Sequence, residues 1–178
     1  MNEQVAVLGG GCFWCLEACY ADVDGVLGVE SGYSGGHVDQ PDYESVCGGR
    51  TGHAEVVRVR FDADLIDFET ILGIFFSIHD PTTRDRQGND VGPQYRSVIF
   101  TVDASQREVA DAMIERLERE RVFDDPIVTE VMPLTNYFPA ENYHQRYFEQ
   151  NPGAGYCRFV VAPKVLKFRR EFARRLKR

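Results

Sequence analysis

Short runs of apolar residues, several alternating with polar ones, predict a sheet of about five strands. Residues 5–8 form a continuous apolar run that stops at three glycines, which predicts a buried strand. Residues 55–61 alternate between apolar and polar side chains, as expected for a strand with one face in the core. Residues 26–33, 96–102 and 127–131 are predicted as the remaining strands.

Helices are predicted between these strands, where apolar residues recur every three or four positions. Asp67 is the expected cap of one helix, and Ser105 with Glu108 has the spacing of a capping box at the start of another. Pro163 is expected to begin a final, basic helix. The predicted helices are residues 12 to about 20, 68–78, 105 to about 121, 140–150 and 163–178.

No repeat, low-complexity tract or flexible linker divides the chain, so residues 1–178 are predicted to form a single domain. Strands and helices intermix along it, which indicates an α/β or α+β fold with helices covering a sheet. Residues 80–94 form a polar stretch that is too long for an ordinary turn. Loops of this length in compact domains are usually functional or disordered.

Charge and composition narrow the possible functions. The net charge of −8 disfavours general nucleic-acid binding. No apolar run is long enough to cross a bilayer and the first residues lack a signal-peptide pattern, so we expect a cytoplasmic protein that does not associate with membranes. Residues 164–178 contain eight Lys or Arg and one acidic residue. We interpret them as the solvated face of the last helix rather than as a docking site for an anionic partner.

The five cysteines point to thiol chemistry rather than to a disulfide scaffold, because their number is odd and three of them lie within eight residues. Cys12 follows three glycines at the predicted start of a helix. Unpaired N–H groups and the helix dipole stabilise a thiolate there, so we expect a lowered pKa for Cys12. Cys19, further along the same helix, is expected to be an inert core residue.

Three other functions are possible for this segment. Phosphate binding is disfavoured because Trp14 stands where a third glycine would be needed. A zinc site is disfavoured because no second C-x-x-C and no suitable histidine spacing accompany Cys12 and Cys15. A thioredoxin-like thiol–disulfide exchanger that uses Cys12 and Cys15 remains an open alternative.

Three separated motifs resemble the A-type peptide methionine sulfoxide reductases. They are GCFW at residues 11–14, TGHAE at 51–55, and RQGND with QYR at 86–96. The resemblance implies a two-layer α+β sandwich with a ferredoxin-like mixed sheet and long loops around the active site. It also implies reduction of the S epimer of methionine sulfoxide, free or in proteins, without a metal or other cofactor and with thioredoxin as the reductant. We expect a monomer.

The resemblance also implies roles for particular residues. Cys12 corresponds to the nucleophile and Glu55 to the acid that protonates the sulfoxide oxygen; without the resemblance, Glu55 would be interpreted as a surface carboxylate at a strand end. Tyr43 and Tyr95 correspond to two phenols that hydrogen-bond this oxygen. Asp90 corresponds to a polar residue that orients the pocket.

The remaining implied roles concern substrate binding and recycling. Phe13 and Trp14 correspond to a pocket for the substrate's S-methyl group. Cys157 corresponds to a resolving cysteine on a flexible C-terminal segment, and we expect it to react before Cys15. Cys15 stands where many members of the family carry glycine.

Overall fold

The structure, a computed structural model, describes residues 1–178. Its strands are β1 (Glu3–Gly10), β2 (Val26–Ser34), β3 (Ala54–Asp62), β4 (Arg86–Gln87), β5 (Asp90–Val91), β6 (Ser97–Thr101), β7 (Glu130–Pro133) and β8 (Phe138–Pro139). Its α-helices are α1 (Phe13–Ala21), α2 (Tyr43–Cys47), α3 (Phe68–Ile78), α4 (Ala104–Arg119), α5 (Tyr147–Gln150) and α6 (Ala162–Glu171). None of the helices is long and apolar enough to span a bilayer.

Six strands form one mixed sheet in the order β7-β6-β1-β3-β2-β8. All neighbours in it are antiparallel except β6 and β7, which are parallel. With α1 and α3, the four central strands follow the β-α-β-β-α-β order of ferredoxin-like folds. The predicted α+β fold with a mixed sheet covered by helices is confirmed.

The alternation in β3 decides which side chains face the helices. Val57 and Val59 belong to the main core, which also contains the buried residues of α1, α3, α4 and α6. Ala54 and Val56 belong to a smaller apolar cluster on the other face of the sheet. Because alternate side chains of a strand share a face, Glu55 lies on the same side as Val57, toward α1.

Local signals predicted α3 well and α4 less well. Helix α3 has the predicted bounds, and the Asp67 side chain accepts a hydrogen bond from the backbone N–H of Thr70 at 2.8 Å. The predicted capping box at Ser105 is wrong. Asp103 caps α4 instead, accepting from the backbone N–H of Gln106 at 2.8 Å. The Gln106 side chain connects this helix start to the backbone of Val102 and of Val5 in β1.

The predicted helix over residues 140–150 is also wrong. A short 3-10 turn at Asn142–His144 and helix α5 are separated by Arg146, whose φ of 55° is left-handed. The backbone N–H of Arg146 donates to the Glu17 carboxylate at 2.8 Å, and the Gln145 side chain pairs with the backbone of Ser31. These distant contacts outweigh the local helical pattern.

The C-terminal segment differs from its prediction in extent and in order. A five-residue π-helical turn, Cys157–Val161, leads directly into α6, so the helix begins before Pro163 and ends at Glu171. The expectation that Cys157 lies on a flexible segment is wrong: it is helical and fully buried. Two smaller differences concern β7, which begins three residues later than predicted, and residues 80–94, which contain the β4–β5 hairpin.

Candidate active site

Cys12 lies between β1 and α1 and is the N-cap residue of the helix, as predicted. The preceding Gly11 has a φ of +93°, and a Cβ there would lie 2.6 Å from the side chain of Gln87. Glycine is needed at this position both for the left-handed backbone and for the close approach of the β4 strand. The tight turn fixes Cys12 against the hairpin of residues 86–91.

The expectation of a lowered pKa for Cys12 is wrong for the free protein. Burial raises the pKa of Cys12 well above its usual value, and the hydrogen bond from its thiol to Cys15 and the charge of Glu55 raise it further. A hydrogen bond from the Trp14 N–H at the helix start lowers the pKa, but it does not outweigh burial. Cys12 therefore holds its proton until something changes its surroundings.

Glu55 is a buried carboxyl group directly beneath the start of α1, with only 1% of its surface exposed. Its Oε1 accepts a hydrogen bond from the Phe13 N–H at 3.3 Å, whereas its Oε2 has no partner. Burial raises the pKa of Glu55 to about 8; the charges of Asp90 and Cys15 add to this and the Phe13 hydrogen bond opposes it. A carboxyl group that is neutral at pH 7 carries a proton on one oxygen, and only Oε2 is free to donate it.

Two tyrosines lie close to this carboxyl group. Tyr43 is the first residue of α2, and its ring stacks on Phe13 with centroids 6.5 Å apart. Tyr95 ends the 3-10 turn Pro93–Tyr95 that follows the β4–β5 hairpin. Burial and the charge of Glu55 raise the pKa of both phenols, so each stays neutral and can donate a hydrogen bond.

Phe13 and Trp14 differ in exposure and therefore in what they can contribute. Phe13 is fully buried and packs against Tyr33 and Tyr43. Trp14 is only partly buried, and its ring stacks on Tyr147 with centroids 3.8 Å apart and planes 9° from parallel. Phe13 thus supports the site from the core, while Trp14 supplies an apolar wall that solvent reaches.

Asp90 belongs to the β4–β5 hairpin and approaches the site through a tyrosine. Its Oδ2 accepts a hydrogen bond from the Tyr156 hydroxyl at 2.5 Å. The Tyr156 ring also meets the edge of Trp14, at 5.7 Å between centroids. Tyr156 therefore connects the C-terminal helical segment both to the polar stretch of residues 80–94 and to Trp14.

Comparison with known proteins decides the family. A protein-family model described as peptide methionine sulfoxide reductase matches residues 4–176. The chain belongs to the peptide methionine sulfoxide reductase family. It is 55% identical to the peptide methionine sulfoxide reductase MsrA of Ralstonia nicotianae, over 97% of this chain and 93% of that protein. It is 53% identical to the corresponding protein of Chromobacterium violaceum, over 96% and 97% of the two chains.

Solved structures agree with this assignment. Reduced Mxr1 from Saccharomyces cerevisiae superimposes with a TM-score of 0.78 at 32% identity, covering 88% of this chain and 90% of that one. Methionine sulfoxide reductase A of Corynebacterium diphtheriae superimposes with a TM-score of 0.77 at 34% identity, covering 89% and 79%. The protein is therefore an oxidoreductase that acts on methionine sulfoxide.

Sequence reasoning missed several residues that shape this reductase site. His144 is 1% exposed and its Nδ1 accepts a hydrogen bond from the Trp14 Nε1–H at 3.2 Å. Glu141 accepts hydrogen bonds from the Tyr33 hydroxyl at 2.9 Å and from the Tyr43 N–H at 3.0 Å. Both residues lie in the segment predicted as a helix. The spacing of apolar residues, which underlies that prediction, carries no information about aromatic contacts between distant parts of the chain.

Cys12, Cys15 and Cys157 all lie in the main core of this peptide methionine sulfoxide reductase. Cys15 follows Cys12 in the first turn of α1, where its backbone N–H donates to the Cys12 carbonyl oxygen at 3.2 Å, and interaction with the Cys12 thiol lowers the pKa of Cys15. Burial raises the pKa of Cys157, and the charge of Cys15 raises it further. Cys19 is buried and its pKa is raised to about 12, consistent with the prediction of an inert core thiol. Cys47 is exposed at the end of α2.

Proposed function

We propose that the chain reduces the S epimer of methionine sulfoxide, free or within proteins, with Cys12 as nucleophile and Glu55 as general acid. The observation that carries this proposal is the unpartnered Oε2 of the buried Glu55 carboxyl group beside Cys12. Oxide is a poor leaving group, so attack on sulfur requires proton delivery to oxygen at the same time. Burial keeps that proton on Glu55 at neutral pH.

The first step transfers oxygen from the substrate to Cys12. The Cys12 thiolate attacks the sulfoxide sulfur while Glu55 protonates the oxygen, and the S–O bond breaks as a sulfenic acid forms on Cys12. The substrate leaves as the thioether, two electrons richer, and Cys12 is oxidised by the same two electrons. In the free protein both groups hold a proton at neutral pH, because burial raises the pKa of each. Cys12 therefore has to release its proton to solvent as the substrate binds, while Glu55 keeps its proton for the sulfoxide oxygen.

Other residues of the site hold the substrate. The neutral phenols of Tyr43 and Tyr95 donate hydrogen bonds to the sulfoxide oxygen. Trp14 contacts the S-methyl group and is fixed by the Tyr147 ring behind it, while the buried Phe13 supports this pocket from the core. Asp90 orients the pocket through its hydrogen bond with the Tyr156 hydroxyl.

Recycling follows as a condensation of the sulfenic acid with a second thiol, which releases water and leaves a disulfide. The resemblance favours Cys157 as the first partner, but its segment is helical and its thiol is buried. Cys15 follows Cys12 in the first turn of α1, where its backbone N–H donates to the Cys12 carbonyl oxygen at 3.2 Å. We therefore assign the first disulfide to Cys12 and Cys15, and give the buried Cys157 the role of a relay thiol that takes the disulfide over.

The reductant that completes the cycle is a dithiol protein of the thioredoxin class. The yeast protein Mxr1, whose reduced form matches this chain, has also been solved in complex with Trx2. Thiol–disulfide exchange needs no metal or organic cofactor, since the electrons pass from the reductant's dithiol to the disulfide.

Two experiments test this function. Separated S and R epimers should differ in turnover by orders of magnitude, because exchanging the substituents on sulfur places the methyl group against Glu55 and the two phenols. Comparable turnover of the R epimer would contradict the pocket. Acid-quenched mapping of the disulfide after one equivalent of sulfoxide should find Cys12 bonded to Cys15, and a dominant Cys12–Cys157 bond would overturn the proposed order.

The alternative, a thiol–disulfide exchanger that uses Cys12 and Cys15, is favoured only by the position of both residues in the first turn of α1. It assigns no role to Glu55, Tyr43 or Tyr95. With dithiothreitol as reductant, a variant in which Cys15 and Cys157 are both serine should still reduce methionine sulfoxide, because dithiothreitol can attack the sulfenic acid directly. Exchange chemistry would lose all turnover in that variant.

A further inference from the structure

The outward side of the C-terminal helical segment carries an apolar strip that the fold does not use. Phe159 is 75% exposed and Leu166 is 58% exposed, with the exposed Pro163 between them. Leu166 and Pro163 line a surface groove together with Arg169, Arg170 and Ala173. We call Phe159, Pro163 and Leu166 the outer strip.

This segment already has a complete buried face on its other side. Cys157, Val161, Val165 and Phe168 are all buried in the main core. A surface helix normally turns polar side chains outward once its apolar stripe is packed. A second apolar strip on the solvent side is therefore a feature for contact with another molecule.

The charges around the outer strip indicate the sign of that molecule. Arg158 lies over the Phe159 ring at 5.6 Å, and Arg170 borders the groove beside Leu166. Neither forms a salt bridge, whereas the neighbouring Arg169 is paired with Asp22. An apolar centre with cationic side chains at its edge fits a partner surface that is apolar at its centre and acidic at its rim.

The position of the strip indicates which acidic partner it receives. Phe159 lies two residues beyond Cys157, the thiol to which the proposed function gives the role of relay, within the same π-helical turn. Turns of this type occur frequently at functional sites, and opening one would move Cys157 and the outer strip together. A reductant that takes over the disulfide has to reach this turn.

We propose that the outer strip and its arginines are the docking surface for an acidic dithiol protein of the thioredoxin class. This inference rests on the proposed function. It replaces the interpretation of the basic C-terminal residues as a solvated face only. The strip supplies the apolar contact and Arg158 and Arg170 supply the electrostatic attraction.

The test compares two reductants with the full-length protein. Turnover of methionine sulfoxide is measured with thioredoxin, regenerated by its reductase and NADPH, and separately with dithiothreitol. Phe159→Glu and Leu166→Glu should each raise the KM for thioredoxin about tenfold or more, as expected for the centre of an interface, and leave dithiothreitol-driven turnover within about twofold. Arg170→Glu should raise this KM less and weaken its dependence on salt. Leu65→Glu, at a residue 66% exposed elsewhere on the surface, is the matched control and should change neither assay.

The possible outcomes separate this inference from the proposed function. An unchanged KM for thioredoxin in both strip variants, with normal dithiothreitol turnover, would overturn the docking surface and leave the function intact. A dimer that Leu166→Glu dissociates without changing that KM would assign the strip to a second copy of the chain instead. Absence of dithiothreitol-driven turnover in the unmodified protein would overturn the function, and the docking surface with it. If Phe159→Glu and Leu166→Glu fail to fold, the test is the salt dependence of the KM for thioredoxin in Arg170→Glu. A weaker dependence than in the wild type supports the docking surface, and an unchanged dependence overturns it.

Discussion

Two buried carboxyl groups on neighbouring elements, Glu55 on β3 and Glu17 on α1, have similar environments and different chemistry. They are 1% and 4% exposed, and burial raises their pKa values to about 8 and about 7. Both oxygens of Glu17 accept hydrogen bonds, from the Arg146 N–H at 2.8 Å and from the Ser31 hydroxyl at 3.4 Å. Glu55 leaves one oxygen free beside Cys12.

The comparison shows that a raised pKa does not by itself identify a catalytic acid. Glu17 uses its oxygens to hold Arg146 in the left-handed region, which starts α5 and sets Tyr147 against Trp14. Glu17 thus has a structural role, because it keeps the aromatic residues beside the site in place. In the proposed function Glu55, whose Oε2 has no partner, is the group that gives a proton away.

The largest expected effect concerns the thiols at the two ends of α1. Cys12→Ser should abolish measurable turnover, because a serine hydroxyl at this site provides no thiolate to attack sulfur. Cys19→Ser, at the buried thiol beyond Glu17, should keep most of the activity. Steady-state assays with dithiothreitol measure both variants, and substantial turnover in Cys12→Ser would refute the assignment of the nucleophile.

The second effect concerns the two carboxyl groups themselves. Glu55→Gln should slow single-turnover sulfoxide reduction by roughly 10²–10⁴-fold, since Gln keeps the size of Glu but cannot supply the proton. Glu17→Gln should slow it by less than about tenfold, because the amide can still accept the Arg146 N–H. Equal losses of rate in the two variants would contradict the assignment of Glu55 as a proton donor and of Glu17 as a structural residue.

The smallest expected effect is on stability. A carboxyl group whose pKa is raised on folding contributes stability that is present at low pH and is lost as pH rises through the folded value, here about 7 for Glu17. The free energy of unfolding should therefore fall between about pH 5 and pH 8, with Glu17 responsible for roughly 1–3 kcal/mol of the change. Denaturant melts of the wild type and Glu17→Gln at several pH values measure this.

In that comparison Glu17→Gln should have the flatter profile over this pH range. Asp24→Asn, at an exposed aspartate, is a control that should leave the profile unchanged. If the free energy of unfolding of the wild type rises over the same pH range instead, Glu17 is not buried as a protonated carboxyl group in the folded state.

Features set by neighbouring residues could be predicted from the sequence, and features set by distant contacts could not. The bounds of α3 and its Asp67 cap depend on residues within a few positions, and both are confirmed. The alternation of β3 predicted a half-buried strand, but the hydrogen bond between Glu55 and the Phe13 N–H spans 42 positions. The helix break at Arg146 depends on Glu17, 129 positions away.

The same contrast explains the error about the Cys12 pKa. The position of the residue at a helix start is a local property, and it was predicted correctly. Burial and the approach of Glu55 are tertiary properties, and they raise the pKa more than the helix start lowers it. The family motifs name candidate site residues, but they carry no information about how deeply each is buried.

The most direct test of Glu55 as the acid measures two reactions of Cys12 in Glu55→Gln at the same pH. One is single-turnover reduction of methionine sulfoxide, and the other is alkylation of Cys12 by iodoacetamide, followed by mass spectrometry of the Cys12 peptide. Because Glu55 is already uncharged at pH 7, its replacement by Gln leaves the charge around Cys12 unchanged at that pH, so alkylation should proceed at about the wild-type rate, while sulfoxide reduction falls roughly 10²–10⁴-fold. A parallel fall in both rates, or a loss of reduction under about tenfold, would contradict the account.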